Sequence, residues 1–184
     1  MSHAATSTAS AQLTIAELQA RIRDIPDFPQ PGILFRDITP LLADAASLQA
    51  VVNTMSAPFR DQVDMVVAIE SRGFILGAPI AYALGAGLAL VRKHGKLPFE
   101  VEAEAYSLEY GENTLEIHRD ALTPGQRVLL VDDLLATGGT VRAAANLVSR
   151  LGGEIVGVCV LAELSGLNGR ALLADLPVTS FIVY

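Results

Sequence analysis

Four consecutive apolar residues, Val128 to Val131, run directly into two aspartates, Asp132 and Asp133, and then into Leu134-Leu135-Ala136-Thr137-Gly138-Gly139-Thr140. The apolar run fits a strand buried on both faces of a parallel sheet. The aspartates arrive where that strand is expected to end, which places charged chemistry at the sheet's carboxyl edge. Beyond the loop, Val141, Ala144, Ala145, Val148 and Leu151 recur at three- and four-residue spacing and predict a helix stopped by Gly152-Gly153. The first amides of such a helix have no intrahelical partner, and its dipole is positive there, so an anion is stabilised at that end. Gly138 and Gly139 let the backbone approach the anion closely, while Thr137 and Thr140 offer hydroxyl donors. No lysine follows the glycines, as the triphosphate-binding pattern GxxxxGK[ST] would require, so a monophosphate fits better. A plain turn with two solvated strand-end charges is the alternative, and the paired acids and threonines weigh against it.

The rest of the composition narrows the partners. With 51% hydrophobic residues in 184, the chain is expected to fold as one domain over residues 13–184, after an Ala/Ser/Thr-rich flexible tail over residues 1–12 that lacks Lys and Arg. A formal charge of −7 does not favour the basic face that nucleic-acid binding uses. Cys159, within VGVCVL, reads as a small buried hydrophobe, and one cysteine builds no disulfide framework, which suits the cytoplasm. Phe74 to Val91 is uncharged over 18 residues and long enough to span a membrane. Gly85 and Gly87 divide it into a buried helix ending near Leu84 and a strand, Leu88 to Val91, so no membrane span is expected.

In chain order, Thr14 and Glu17 form a capping box for a first helix with Ile15, Leu18 and Ile22 on one face. The prolines of Ile25 to Gly32 exclude regular structure, and Ile33 to Pro40 continues as an ordered loop. Asp44 caps a second helix with Leu48, Val51, Val52, Met55 and Phe59 inward, and Met65 to Ile69 is the next buried strand. Glu70-Ser71-Arg72-Gly73 repeats the strand-turn-helix logic and makes a second anion site; a Glu70–Arg72 ion pair is its structural alternative. Arg92, Lys93 and Lys96 form a basic cluster at the end of the following strand, read as an anion site over a solvated face. His94 and His118 read as surface or hinge residues. Leu97 to Glu112 is rich in glutamate and has neither a helical stripe nor long alternation, so a mobile lid is expected before the strand Thr114 to His118. Ile155 to Leu161 is a strand, Gly166 to Ala174 a short helical connection, and Val178 to Val183 an edge strand. The alternation predicts an α/β fold with a central, mostly parallel sheet flanked by helices.

Val128 to Thr140 resembles, residue by residue, the phosphoribosyl-pyrophosphate motif of the type I phosphoribosyltransferases. The resemblance covers nearly all of the chain after the tail and implies that family's fold, with a small hood and a flexible lid loop. It implies that Ala136, Thr137, Gly138, Gly139 and Thr140 hold the ribose 5-phosphate and that Asp132 and Asp133 engage the ribose hydroxyls. Hypoxanthine-guanine enzymes have a third acid where this chain has Ala136, which points toward the adenine type. The segment from Pro26 to Leu42, PDFPQPGILFRDITPLL, is similar to the amino-terminal signature of adenine phosphoribosyltransferases and implies adenine recognition around Leu34, Phe35 and Arg36. Pyrophosphate would be gripped by Ser71, Arg72, Arg92, Lys93 and Lys96, often with a cis peptide before the serine. Ser107 to Gly111 matches the hood's Ser-Leu-Glu-Tyr-Gly, making Glu109 the catalytic carboxylate and Tyr110 a cover for pyrophosphate. The residues alone do not distinguish Glu109 from its neighbouring glutamates. Mg2+ carried mainly by substrate oxygens, and a homodimer, are implied as well. The expected activity forms AMP and pyrophosphate from adenine and 5-phosphoribosyl 1-pyrophosphate; a xanthine or other purine transferase and a non-catalytic phosphoribosyl-pyrophosphate sensor stand as alternatives.

Overall fold

Thr14 starts the first helix as its capping box predicts: the Glu17 amide donates to Thr14 Oγ1 at 3.3 Å and the Thr14 amide donates to Glu17 Oε2 at 2.8 Å. The computed structural model describes residues 13–107 and 112–184, so the expected tail over residues 1–12 lies outside the described residues. The chain divides into two compact units, one up to Val51 and one from Val52 to Tyr184. In the first, helix α1 (Ile15–Gln19) is only five residues long, and Ile22 is buried beyond its end instead of on its face. The stretch expected to be irregular is an antiparallel hairpin of β1 (Arg23–Pro26) and β2 (Leu34–Asp37), paired from Arg23↔Asp37 to Pro26↔Leu34. Pro26 is tolerated because both strands of a two-stranded ribbon are edges, where a missing N–H need not break a ladder. The hairpin loop is closed by Asp27 Oδ1, which accepts from the Gly32 amide at 2.7 Å, with Gly32 at φ +87°. Helix α2 (Thr39–Ala43) follows, and Asp44 then caps α3 (Ala45–Ser56) by accepting from the Ser47 amide at 2.8 Å.

The second unit holds the large sheet. Its strands are β3 (Met65–Ile69), β4 (Gly87–Lys93), β5 (Val101–Ser107), β6 (Glu112–His118), β7 (Arg127–Leu135), β8 (Glu154–Glu163) and β9 (Val178–Val183), in the order β5-β6-β4-β3-β7-β8-β9. The five strands from β4 to β9 in that order are parallel, whereas β5 and β6 run antiparallel. Helix α4 (Arg72–Leu84) covers one face. Its Gly77 lies so close to β3 that an added Cβ would stand 2.6 Å from the Ala68 Cβ. Helix α5 (Gly139–Arg150) covers the other face, packing Val141, Ala144 and Val148 with Val67, Ile69, Val91 and Leu130. Short helix α6 (Gly169–Leu172) joins β8 to β9, as the sequence predicts for that connection. Gly85, at φ +67°, ends α4, and among the described residues no helix is long and apolar enough to cross a membrane.

Two sequence expectations are corrected here. Strand β7 does not stop at the aspartates but continues to Leu135, because β8 keeps pairing with it through Leu135↔Glu163. On its other side, β3 pairs only as far as Ala68↔Val131, so Asp132 and Asp133 lie on a stretch of strand flanked by a gap. Of the lid expected over Leu97 to Glu112, Val101–Ser107 is a regular strand whose partners run from Val101↔His118 to Ser107↔Glu112, and residues 108–111 lie outside the described residues. Its polar pattern is inverted relative to a solvated strand: Glu104 accepts from Asn146 Nδ2 at 2.7 Å and pairs with Arg150, both on α5. The glutamates therefore bind a helix instead of water, which hides the strand period.

Candidate functional site

Because β4, β3 and β7 are adjacent and parallel, the three turns that follow them open at one edge of the sheet. At its centre, Arg72 Nε stands 2.7 Å from Asp133 Oδ2, and the Asp133 side chain is only 7% exposed. The Asp133 amide donates to Asp132 Oδ1 at 2.9 Å. Gly73, in the first turn of α4, is what allows this approach: a Cβ there would lie 2.8 Å from the Val131 carbonyl oxygen and 3.0 Å from Asp132 Oδ1. Burial and the adjoining Asp133 carboxylate push Asp132 well above the usual carboxylate range. Burial raises Asp133 too, although the Arg72 guanidinium opposes the shift. The site is therefore overloaded with negative charge for its degree of burial, and it favours ligands that donate hydrogen bonds or bring a cation.

Beside the aspartates, Ala136 to Gly138 turn into α5. Gly138 takes φ +86° at the N-cap and offers no side-chain cap, which leaves the first amides of the helix for another acceptor. Thr140 Oγ1 donates to the Tyr106 hydroxyl oxygen at 3.4 Å. Asp132, Thr137, Gly138 and Thr140 line a small cleft of about 70 Å³. The second turn also starts a helix without a side-chain cap, at Ser71, and the Glu70–Ser71 peptide bond is cis. The Glu70–Arg72 ion pair considered from sequence is not the one formed. Glu70 Oε2 accepts from the Lys93 amide at 2.9 Å and from Arg92 Nε at 3.3 Å, while Arg72 pairs with Asp133. Burial works to raise Glu70, but these two donors outweigh it and hold the carboxyl below the usual range. Glu70 thus ties the end of β3 to the basic turn after β4, where Lys93 and Lys96 are exposed.

The structure brings Ser71, Arg72, Asp132, Asp133 and residues 136–140 to one edge, with Arg92, Lys93 and Lys96 on the neighbouring turn. Leu34, Phe35 and Arg36 stand on β2 in the first unit, where Phe35 packs edge-to-face on Phe28 at 5.2 Å and Arg36 pairs with Asp24. Glu109 and Tyr110 lie outside the described residues. His94 is exposed, and its Nδ1 sits 2.5 Å from Oε1 of the buried Glu116. Cys159 is buried, its thiol pushed up to about 12 by burial, as suits a core side chain. Sequence reasoning missed Tyr106 and Gly169; neither carries a local motif, and only tertiary packing brings them to the loop.

These features define one sheet edge with paired acids, an Arg72–Asp133 pair and two uncapped helix starts, and the comparisons show the family that carries it. A profile of the phosphoribosyl transferase domain matches residues 37–173, and the chain belongs to that family. An adenine phosphoribosyltransferase of Nocardioides sp. is 58% identical over 173 residues, covering 91% of this chain and 94% of the relative. The crystal structure of adenine phosphoribosyltransferase from Thermoanaerobacter pseudethanolicus superposes with a TM-score of 0.91 at 48% identity, over 93% of this chain and 100% of that one. That from Saccharomyces cerevisiae, complexed with D-2,5-dideoxy-2,5-imino-altritol 1,6-bisphosphate and adenine, gives 0.86 at 37% identity, over 91% and 97% of the two chains. Within the family, the chain is a member of the adenine phosphoribosyltransferases.

Proposed function

We propose that this chain forms AMP and pyrophosphate from adenine and 5-phosphoribosyl 1-pyrophosphate, a purine-salvage reaction of the cytoplasm. The observation that carries the reading is the Asp132–Asp133–Arg72 cluster beside the uncapped start of α5. The amides and hydroxyls of Ala136, Thr137, Gly138, Gly139 and Thr140 hold the 5-phosphate. Asp132 and Asp133 accept from the ribose hydroxyls, and their charge opposes the positive charge that develops on the sugar as the bond from C1 to pyrophosphate breaks. Ser71, Arg72, Arg92, Lys93 and Lys96 take up the negative charge on the departing oxygens, with Tyr110 covering them. Leu34, Phe35 and Arg36 read the base. Glu109 moves the proton released at the purine imidazole nitrogen as the new bond to C1 forms, and the segment around it excludes water.

The half-buried Asp132 and buried Asp133, adjacent carboxylates with hard oxygen donors, also fit a divalent cation arriving with the substrate. Mg2+, held chiefly by pyrophosphate and ribose oxygens, would neutralise leaving-group charge. The family match runs across the Val51/Val52 boundary and supports residues 13–184 working as one phosphoribosyltransferase domain. A homodimer is supported by the apolar surface of the second unit, where Leu88, Leu90 and Leu97 line a cleft of about 280 Å³ and Tyr82 is 90% exposed.

A steady-state assay with Mg2+, 5-phosphoribosyl 1-pyrophosphate and each of adenine, hypoxanthine, guanine and xanthine tests the reading. Nucleotide is expected from adenine. Product from xanthine in its place would make the chain another purine transferase, and donor binding without product from any base would make it a sensor. Glu109→Gln is expected to lower kcat by about a hundredfold while the KM for the sugar donor moves less than about threefold. An unchanged kcat would remove Glu109 from the chemistry.

A further inference from the structure

In the loop proposed to hold the 5-phosphate, Thr140 reaches the Tyr106 hydroxyl through its side chain, but Ala136 and Gly138 carry no side chain that could make such a tie. Ala136 and Gly138 rest instead on the backbone of a short helix from a distant part of the chain. Gly169 is buried at the start of α6, and a Cβ added to it would lie 2.2 Å from the Ala136 carbonyl oxygen and 3.0 Å from the Gly138 nitrogen. The contact is reciprocal: a Cβ on Gly138 would lie 2.6 Å from the Gly169 carbonyl oxygen. Two main chains touch here with no side chain between them, and the same Ala136 and Gly138 line the small cleft beside Asp132.

A four-residue helix has no stability of its own, so its position must be imposed from outside. Three sets of side-chain ties impose it. Arg170 Nε donates to both Glu163 oxygens at 2.8 and 2.9 Å, and Glu163 is 6% exposed at the end of β8. The same guanidinium donates to the Val178 carbonyl oxygen at 3.0 Å and to Ser180 Oγ at 2.9 Å on β9, and Ser180 Oγ in turn donates to Glu163 Oε2 at 2.6 Å. At the other end of α6, the Leu172 carbonyl oxygen accepts from Arg142 on α5 at 2.8 and 3.1 Å, and Arg142 also pairs with Asp175. An ordinary connection between neighbouring parallel strands needs no such set of ties. The preceding Gly166 shows the contrast, since a Cβ there would meet nothing within 4 Å.

We infer that Gly169 is a positioning residue for the sugar-phosphate site: α6, clamped by Arg170 and Arg142, is a rigid floor that sets the height of the Ala136–Gly138 backbone, and glycine is required because any side chain would lift that loop off the geometry that binds a 5-phosphate. The inference rests on the loop holding the 5-phosphate. A displaced loop weakens hydrogen bonds made equally in the ground and transition states, so its mark is on KM rather than kcat. Gly169→Ala is expected to raise the KM for 5-phosphoribosyl 1-pyrophosphate by about tenfold and to weaken ribose 5-phosphate in calorimetry by a similar factor, while kcat moves less than about threefold. Inorganic pyrophosphate binding should stay within about twofold of wild type, as should every constant of Gly166→Ala.

Gly169→Ala binding ribose 5-phosphate like wild type would overturn the inference, as would equal losses for ribose 5-phosphate and pyrophosphate, which mark a general loss of structure. Should Gly169→Ala fail to fold, Arg170→Gln decides: it frees α6 without touching the loop and should weaken ribose 5-phosphate about threefold or more with pyrophosphate unaffected, and no such loss would reject the floor. Wild-type protein that bound pyrophosphate but not ribose 5-phosphate would instead refute the assignment of the loop itself, a distinct failure.

Discussion

Asp132→Asn is expected to lower kcat by about a hundredfold or more and, in the ligand-free protein, to raise the melting temperature. The same property produces both effects. Asp132 is held beside Asp133 among protein atoms, so its charged form is disfavoured, and its proton affinity lies well above that of a free carboxyl near 3.8. A group whose folded value is raised adds stability below its unfolded value and loses that stability as pH rises through the folded value. As pH rises above the unfolded value, the wild type carries a growing penalty at Asp132 that the amide does not. The variant is therefore expected to melt higher than wild type at neutral pH, the difference shrinking as pH falls. The gap between variant and wild type should close as pH is lowered toward 4, where the wild-type carboxyl is protonated. The amide still offers an oxygen to the Asp133 N–H, so the fold is not disturbed. Calorimetric scans across pH, paired with turnover measurements, check both halves. A variant destabilised by the same amount at every pH would show that Asp132 is an ordinary structural acid.

The second large effect belongs to Arg72→Ala. Removing one partner of a buried pair leaves the other charge uncompensated, and Asp133, at 7% side-chain exposure, has little access to water. A loss of about 3 kcal/mol is expected in denaturant unfolding near neutral pH, the low end for such pairs because the arginine side chain is 29% exposed. Asp133→Asn on its own removes the costly charge and should cost less than Arg72→Ala. The double variant should recover much of the loss, giving a coupling of at least about 1 kcal/mol in the cycle. Strictly additive losses would mean that the Arg72–Asp133 contact is energetically idle. Activity should fall in all three variants, which separates the stability of the site from its use.

Both predictions concern residues that were visible from sequence as types but not as partners. Asp132, Asp133 and the Thr-Gly-Gly-Thr loop could be read directly, because a buried strand, an acidic step and a glycine-rich helix start are local and contiguous. Met65–Ile69, Val178–Val183 and the break of the Phe74–Val91 run into helix and strand were legible for the same reason. The hairpin of β1 and β2 was not, since prolines conceal a strand that has no interior neighbour to satisfy. Nor was β5, whose Glu102 and Glu104 face Asn146 and Arg150. The exchange of partners among Glu70, Arg72, Arg92 and Asp133 depends on which strands lie side by side, and no spacing along the chain encodes that.

What this chain's sequence determined alone is therefore the periodic and the contiguous: a mostly parallel α/β sheet, a glycine-rich helix start at Gly138-Gly139, and two acids delivered close to it. Tertiary structure decided where those acids sit, in a gap that opens because β3 stops pairing at Val131 while β8 continues to Leu135. It also decided that Arg72 answers Asp133 and that Gly169, some thirty residues beyond the loop, supports it. The physical reason is one of range. Hydrophobic period and helix capping act over a few residues, whereas desolvation and backbone contact depend on neighbours that only the folded sheet supplies.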